Sequence, residues 1–276
     1  MMKYAILLIA CNITLLFMPT SVSGEIRLTI GSDHWPPYEL AEKDFVTNGF
    51  STQVVEAVLK RMNMQIEGKI QLYPFARLEH HILHGHIDAA FSLSSNTERQ
   101  KQCYFPAEPL IDSKWVLFIR QEDKNRLRFS TLDDLKGKTI GVVRQYAYTP
   151  AFWAFLKKEN NYETVSNDEQ NFIKLRSGRI DYVIAEYANA LTILKKLGLS
   201  DELMPLLTQP VYKTELYVIF NKQRISEQFV NRFSDTLKAF KRTSEYDRIY
   251  ENYFLTHPLD KVHFSHVCHR GNCAVN

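Results

Sequence analysis

The sequence predicts an α/β protein of two lobes joined by two crossing strands, and three observations carry that reading. The chain has 276 residues, more than a single domain usually holds. One short pattern occurs twice: His84-Gly85-His86-Ile87-Asp88 and Arg176-Ser177-Gly178-Arg179-Ile180-Asp181 each read as a helix end, a glycine stop and an Ile-Asp that opens a strand. Two apolar runs, residues 114–120 and 216–220, are each long enough to carry the chain between lobes. The expected division is residues 24–113 plus 217–276 for a discontinuous first lobe and residues 114–216 for a second.

Residues 1–23 read as an export signal. Lys3 precedes an almost wholly apolar stretch over 4–18, and Ser21-Val22-Ser23 offers a small-x-small cleavage site. Leu8-Ile9-Ala10-Cys11 looks like a lipid-attachment box, but it lies early and more apolar residues follow, so anchoring at Cys11 is not expected. No later stretch is long and apolar enough to span a bilayer, so a soluble, periplasmic protein is expected. The composition is that of an ordinary globular chain, 45% hydrophobic and 24% charged, and a net charge of +3 is too small to imply nucleic acid. Cys268 and Cys273 read as a small-loop disulfide in an oxidising compartment. His263, His266 and His269 around them leave a metal-binding tail as the other reading, although no second ligand cluster closes a recognisable site. No cofactor is expected.

In chain order, residues 25–31 alternate as a first strand. The loop Ser32-Asp33-His34-Trp35-Pro36-Pro37-Tyr38 is stiffened by its prolines, so Trp35 and Tyr38 project from it either as a ligand platform or as a hydrophobic plug. Ser51 should cap a helix through Met62, with Val54, Val55, Val58 and Leu59 on its apolar stripe. A second strand is expected over 66–72. Arg77 then begins a helix ending at Gly85, its side chain facing either cleft or solvent. The apolar run 87–91 reads as a buried strand that breaks into Ser92, Ser94 and Ser95, and Thr97 should cap a helix holding Glu98 and Arg99 in its first turn.

In the second half, Ser130 should cap a short helix over 131–135 and a strand should occupy 139–143. The loop Arg144-Gln145-Tyr146-Ala147-Tyr148 leads to Thr149-Pro150, a helix start with Pro at its first position. Asn167 should cap a helix through Ser177, residues 179–184 a strand with Glu186 just past it, and 189–197 a helix stopped by Gly198. Helices over 226–242 and 245–254 follow, with Phe229, Phe233, Leu237 and Phe240 at helical spacing as core.

Open α/β sheets bind ligands at the carboxyl ends of their strands. Free N–H groups at a helix start, hydroxyls and a planar guanidinium suit a carboxylate. Arg99, with Ser94, Ser95 and Thr97, could therefore anchor a carboxylate, or the stretch could be a strand, a capped turn and a surface Arg. Glu186, at the corresponding strand end of the second lobe, could hold the ammonium of the same ligand, or simply sit at a helix start.

Trp35-Pro36-Pro37-Tyr38, Gly49-Phe50, Gly85-x-Ile87-Asp88, Thr97-Glu98-Arg99, Leu135-Lys136-Gly137-Lys138-x-Ile140-Gly141 and Ser177-Gly178-Arg179-Ile180-Asp181 follow in order. Together they resemble the bacterial extracellular solute-binding proteins of family 3, the polar amino-acid binders of ABC importers, over about residues 25–254. The resemblance implies a type II periplasmic binding fold whose lobes close on ligand. It further implies a carboxylate clamp at Arg99, helped by Ser94, Ser95 and Thr97, side-chain contacts from Trp35 and Tyr38, and donors from Gln145, Tyr146 and Tyr148; Arg77 is a secondary candidate from its own place at a helix start. A small amino acid-like ligand, an importer permease as partner and a monomeric chain go with it. Two departures stand out. The acid usual soon after Gly-Phe is replaced by Ser51-Thr52-Gln53, and the second-lobe loop lacks the usual Gly-Thr or Gly-Ser. A dehydratase of the cyclohexadienyl type on the same scaffold, using Glu186 or His34, and a ligand sensor docking on a membrane receptor are the alternatives.

Overall fold

A computed structural model describes residues 27–144 and 146–254. The export segment, the tail with Cys268 and Cys273, and Gln145 lie outside the described residues.

The first part of the chain forms β1 (Arg27–Leu28), β2 (Ile30–Ser32), β3 (Leu40–Glu42), β4 (Phe45–Asn48), α1 (Phe50–Arg61), β5 (Gln65–Ile66) and β6 (Gln71–Leu72). Then come α2 (Phe75–Leu83), β7 (Ala89–Leu93), α3 (Thr97–Gln102), β8 (Cys103–Tyr104) and the long β9 (Ile111–Arg120). Past two short 3-10 turns lie β10 (Ile140–Val143), α4 (Pro150–Glu159), β11 (Tyr162–Val165), α5 (Asp168–Arg176), β12 (Tyr182–Glu186) and α6 (Tyr187–Leu197). β13 (Leu203–Pro205), the long β14 (Tyr212–Asn221), α7 (Glu227–Phe240) and α8 (Ser244–Phe254) complete the described chain.

The strands run in the order β11-β10-β12-β9-β14-β7-β2-β6-β4-β3. β9 and β14 pair antiparallel over Ile111–Trp115 and Tyr212–Leu216. They then part company: β9 goes on to pair with β12, and β14 with β7. Each lobe is a small α/β unit with parallel neighbours, β2 beside β6 and β7 in one and β10 beside β11 and β12 in the other. Two α/β lobes joined by two crossing strands are thus the architecture, and the strand ends of both face one cleft. On the far side of the first lobe, α1 buries Val54, Val55, Val58 and Leu59 and packs against α7 and α8.

Several local expectations move. α1 is capped by Gly49 rather than Ser51. The backbone there has φ 115°, and an added Cβ would lie 2.2 Å from the Tyr38 carbonyl oxygen, so only glycine fits. The single strand expected over 66–72 is two short strands, because Gly68 at φ 69° turns the chain between them. α2 starts at Phe75, which puts Arg77 inside its first turn. The cap of α3 is Asn96, whose extended backbone lets Oδ1 accept from Arg99 N at 2.8 Å; Thr97 is the first helical residue. Thr131, not Ser130, caps the turn at Leu132–Leu135 through a reciprocal pair with Asp134. The caps at Thr149 and Asn167 stand where the sequence put them.

Candidate ligand-binding site

β7 leaves its sheet with Ser92 in the left-handed region, at φ 60°, a conformation that costs a non-glycine residue roughly 1–3 kcal/mol. A buried chain of groups holds it. Ser92 Oγ bonds the Glu39 carboxyl and lies 2.7 Å from Ser51 Oγ. Glu39 is fully buried, and burial, reinforced by the nearby Asp33, lifts its carboxyl well above the ordinary range. The Glu39 carboxyl thus comes to Ser51 and Ser92 from the preceding loop.

Arg99, 1% exposed, is positioned by this turn and by α3. Its Nη1 donates to the Ser94 carbonyl at 2.7 Å and its Nε to Glu79 Oε1 at 2.9 Å. Nη2 lies 2.8 Å from that same Glu79 oxygen but out of line with its N–H bonds, so it makes no hydrogen bond. The guanidinium also sits 5.6 Å from the centre of the Phe75 ring. One edge of the guanidinium is therefore held by Glu79, and Nη2 is left without a hydrogen-bond partner.

Acids lie close by in both lobes. Glu186 ends β12 and caps α6, its Oε2 accepting from Asn189 N at 2.8 Å, while Oε1 accepts from Tyr38 O–H across the cleft at 3.0 Å. Burial pushes its carboxyl up to about 7 against the pull of those two donors. Asp168, in the first turn of α5, accepts from Tyr146 O–H at 3.1 Å, and the Trp35 indole N–H lies close to the same carboxylate. Burial lifts it to about 7, opposed by the Tyr146 bond and aided by Asp33. Asp33 follows β2, is half-buried at the cavity wall, and is pushed up to about 6 by burial despite its own backbone N–H and Arg99.

Between the lobes lies a cavity of about 40 Å³, room for a few waters at roughly 10–15 Å³ each. Of the residues singled out from the sequence, Trp35, Ser94, Arg99 and Tyr146 line it; Asp33, Phe75, Ser92 and Trp115 join them. The lobes are closed. Trp35 stacks on Trp115 with ring centres 6.3 Å apart, Phe75 meets Tyr146 edge-on at 5.5 Å, and Asn189 Nδ2 donates to the Pro36 carbonyl.

Other candidates lie elsewhere. Tyr38 is buried behind the cavity with Glu186, so it is a plug with one polar contact rather than an exposed platform. Tyr148 is buried within its own lobe, its hydroxyl accepting from Val143 N at 2.9 Å. Ser95 is exposed and accepts from Gln100 Nε2, Thr97 is exposed on α3, and Arg77 is exposed on α2. His34 is exposed too, its Nδ1 accepting from Ala41 N. Sequence reasoning passed over Asp33 and Asp168. Asp33 directly follows a strand, a signal present in the sequence, whereas Asp168 resembles any acid in a helix's first turn.

Two lobes, two crossing strands and a cleft faced by strand ends define the class of two-lobed solute-binding proteins. The model of the bacterial extracellular solute-binding proteins, family 3, matches residues 28–256, and the chain belongs to that family. It is 26% identical over 241 residues to an arginine-binding periplasmic protein of Mannheimia haemolytica, covering 87% of this chain and 96% of that one. To a probable histidine-binding protein of Neisseria gonorrhoeae it is 25% identical over 238 residues, 86% and 85% of the two chains. Among solved structures, an ancestral arginine-binding protein bound to arginine superposes with a TM-score of 0.69 at 21% identity, over 83% of this chain and 98% of that one. A histidine kinase sensor domain superposes with a TM-score of 0.71 at 18% identity, over 83% and 96%. Among the described residues no helix is long and apolar enough to cross a membrane.

Proposed function

We propose that this chain captures an amino acid with a cationic side chain between its lobes, in the periplasm, and hands it to an ABC importer. We take the lobes as residues 24–113 with 217–276, and 114–216. The observation that supports the reading is a charge imbalance. Asp33 lines the cavity, Asp168 is bonded to its Tyr146 wall and Glu186 lies behind it against Tyr38, while Arg99, the one guanidinium among the lining residues, is already paired with Glu79. A ligand with one carboxylate and two cationic groups corrects that imbalance, and charges leaving water need such partners. The arginine- and histidine-binding relatives agree with this class of ligand.

In this account Arg99 and Ser94 take the α-carboxylate, Glu186 the α-ammonium, and Asp33 with Asp168 the side-chain cation. Trp35, Trp115 and Tyr146 offer ring faces that favour a cation. The small cavity means that the lobes part about β9 and β14 to admit ligand, and a ligand touching both lobes draws them shut. A thermal-shift series with arginine, lysine, histidine, glutamine and glutamate tests the reading, since a ligand of the folded state raises Tm. The cationic amino acids should give the largest rise; a larger one from glutamate, or none from any, would contradict it. Glu186 near pH 7 also suits proton transfer. Turnover of prephenate or arogenate, abolished in Glu186→Gln, would favour the dehydratase instead.

A further inference from the structure

The outer end of α2, away from the cleft, carries four histidines close together. His80 and His84 are one helical turn apart and share a face, with ring centres 4.2 Å apart. Gly85, at φ 71°, then turns the chain back, and His86 N donates to the His81 carbonyl at 2.9 Å. That return brings the His86 ring to 5.8 Å from His80 and 6.4 Å from His84. Two imidazoles on one tetrahedral ion, at about 2.0–2.1 Å from metal to nitrogen, have ring centres about 5 Å apart by geometry. The observed separations bracket that value.

His84 Nδ1 lies 2.8 Å from the His80 carbonyl oxygen. A neutral ring in that position donates Nδ1–H and presents the lone pair of Nε2, the arrangement in which a backbone carbonyl orients a metal-binding imidazole. His80, His84 and His86 are all exposed, so their rings can turn. His81 is different: half-buried, it stacks on Tyr73 with ring centres 4.6 Å apart, and it is not counted as a ligand. As the rings stand, no group of three or more His, Cys, Asp or Glu among the described residues is set to hold an ion, so the site requires a rotation of these exposed side chains.

We propose that His80, His84 and His86 form a surface site for a divalent transition-metal ion of the class that favours imidazole, zinc, copper or nickel. The site is separate from the amino-acid cleft, since none of the three lines it. The test is calorimetric titration of the whole exported chain with Zn2+ at pH 7.5, in three versions. One is unaltered and one is His80→Ala with His84→Ala. The third replaces the tail groups: His263→Ala, His266→Ala and His269→Ala with Cys268→Ser and Cys273→Ser. The proposal expects micromolar binding that survives the tail substitutions and weakens at least about tenfold in the helix variant. The helix variant should keep its thermal shift with amino acids, which shows that it is folded. No binding by the unaltered chain, unchanged affinity in the helix variant, or complete loss in the tail variant would each overturn it.

Discussion

Asp88 and Asp181 do the same work in the two lobes. Each follows a left-handed glycine, Gly85 at φ 71° and Gly178 at φ 72°. Asp88 Oδ2 accepts from Thr29 N at 2.7 Å, and Asp181 Oδ2 from Thr139 N at 2.9 Å. In both lobes the carboxylate thus ties the start of one strand, β7 or β12, to the segment entering its parallel neighbour, β2 or β10. Past the aspartates the likeness ends. β7 runs into a left-handed serine and then Arg99, whereas β12 runs into Glu186, whose side chain caps the next helix. One scaffold therefore leads to opposite charges, a guanidinium on the helix after β7 and a carboxylate at the last residue of β12. The plan fixes where the strand ends lie, and the residues just past them decide what they hold.

The largest expected effect breaks the cationic end. Arg99→Ala should weaken amino-acid binding about a hundredfold or more, because a desolvated carboxylate loses its partner and Glu79 is left unpaired. Glu186→Gln should cost only about tenfold, since Tyr38 and Asn189 N still support the ligand-facing group. Calorimetry on the pair reads the difference, and equal losses would show that the two strand ends do not play unequal parts.

A pH series sharpens the same contrast. Asp33, Asp168 and Glu186 have folded pKa values raised to about 6, 7 and 7 from ordinary values of 3.8, 3.8 and 4.5. The folded chain thus binds more protons than the unfolded one, and their stabilising contribution is complete below about pH 4 and lost as pH rises through 6–7. Without ligand, Tm should fall by roughly 5 °C or more between pH 5 and 8. A cationic ligand favours the ionised carboxylates, so its affinity should rise over the same window. A Tm that climbs with pH would contradict the assignment.

The smallest effect compares the two glycines. Gly85→Ala and Gly178→Ala each force alanine into the left-handed region, at about 1–2 kcal/mol. The first should cost more, because its Cβ would lie 3.3 Å from Asn221 Oδ1, while at Gly178 the nearest atom is Arg120 Nη1 at 4.0 Å. Urea titration of both variants reads the order.

Much of this scaffold was legible because its signals are local. The Gly-x-Ile-Asp repeat marked both inner strands, the apolar runs marked the crossings, and Thr149-Pro150 and Asn167 marked helix starts. The cleft was less so, because burial there comes from residues far apart in sequence. Glu39 reaches Ser51 and Ser92 across 12 and 53 positions, and the charge of Asp33 is felt at Asp168, 135 positions further on. Arg99 was visible from its helix start, but Glu79 on a neighbouring helix was not. Likewise, Tyr148 read as a loop donor and proved to be core, since its hydroxyl is taken by Val143 N.

The most direct test compares arginine with citrulline, which keeps the shape and replaces the guanidinium by a neutral urea, in calorimetry on the unaltered chain and on Asp168→Asn. The account predicts that the unaltered chain binds arginine at least about tenfold more tightly, the worth of a charge-assisted bond, and that Asp168→Asn narrows the gap. Equal affinity for the two ligands in the unaltered chain would contradict the claim that the acids of this cleft exist to hold a cation.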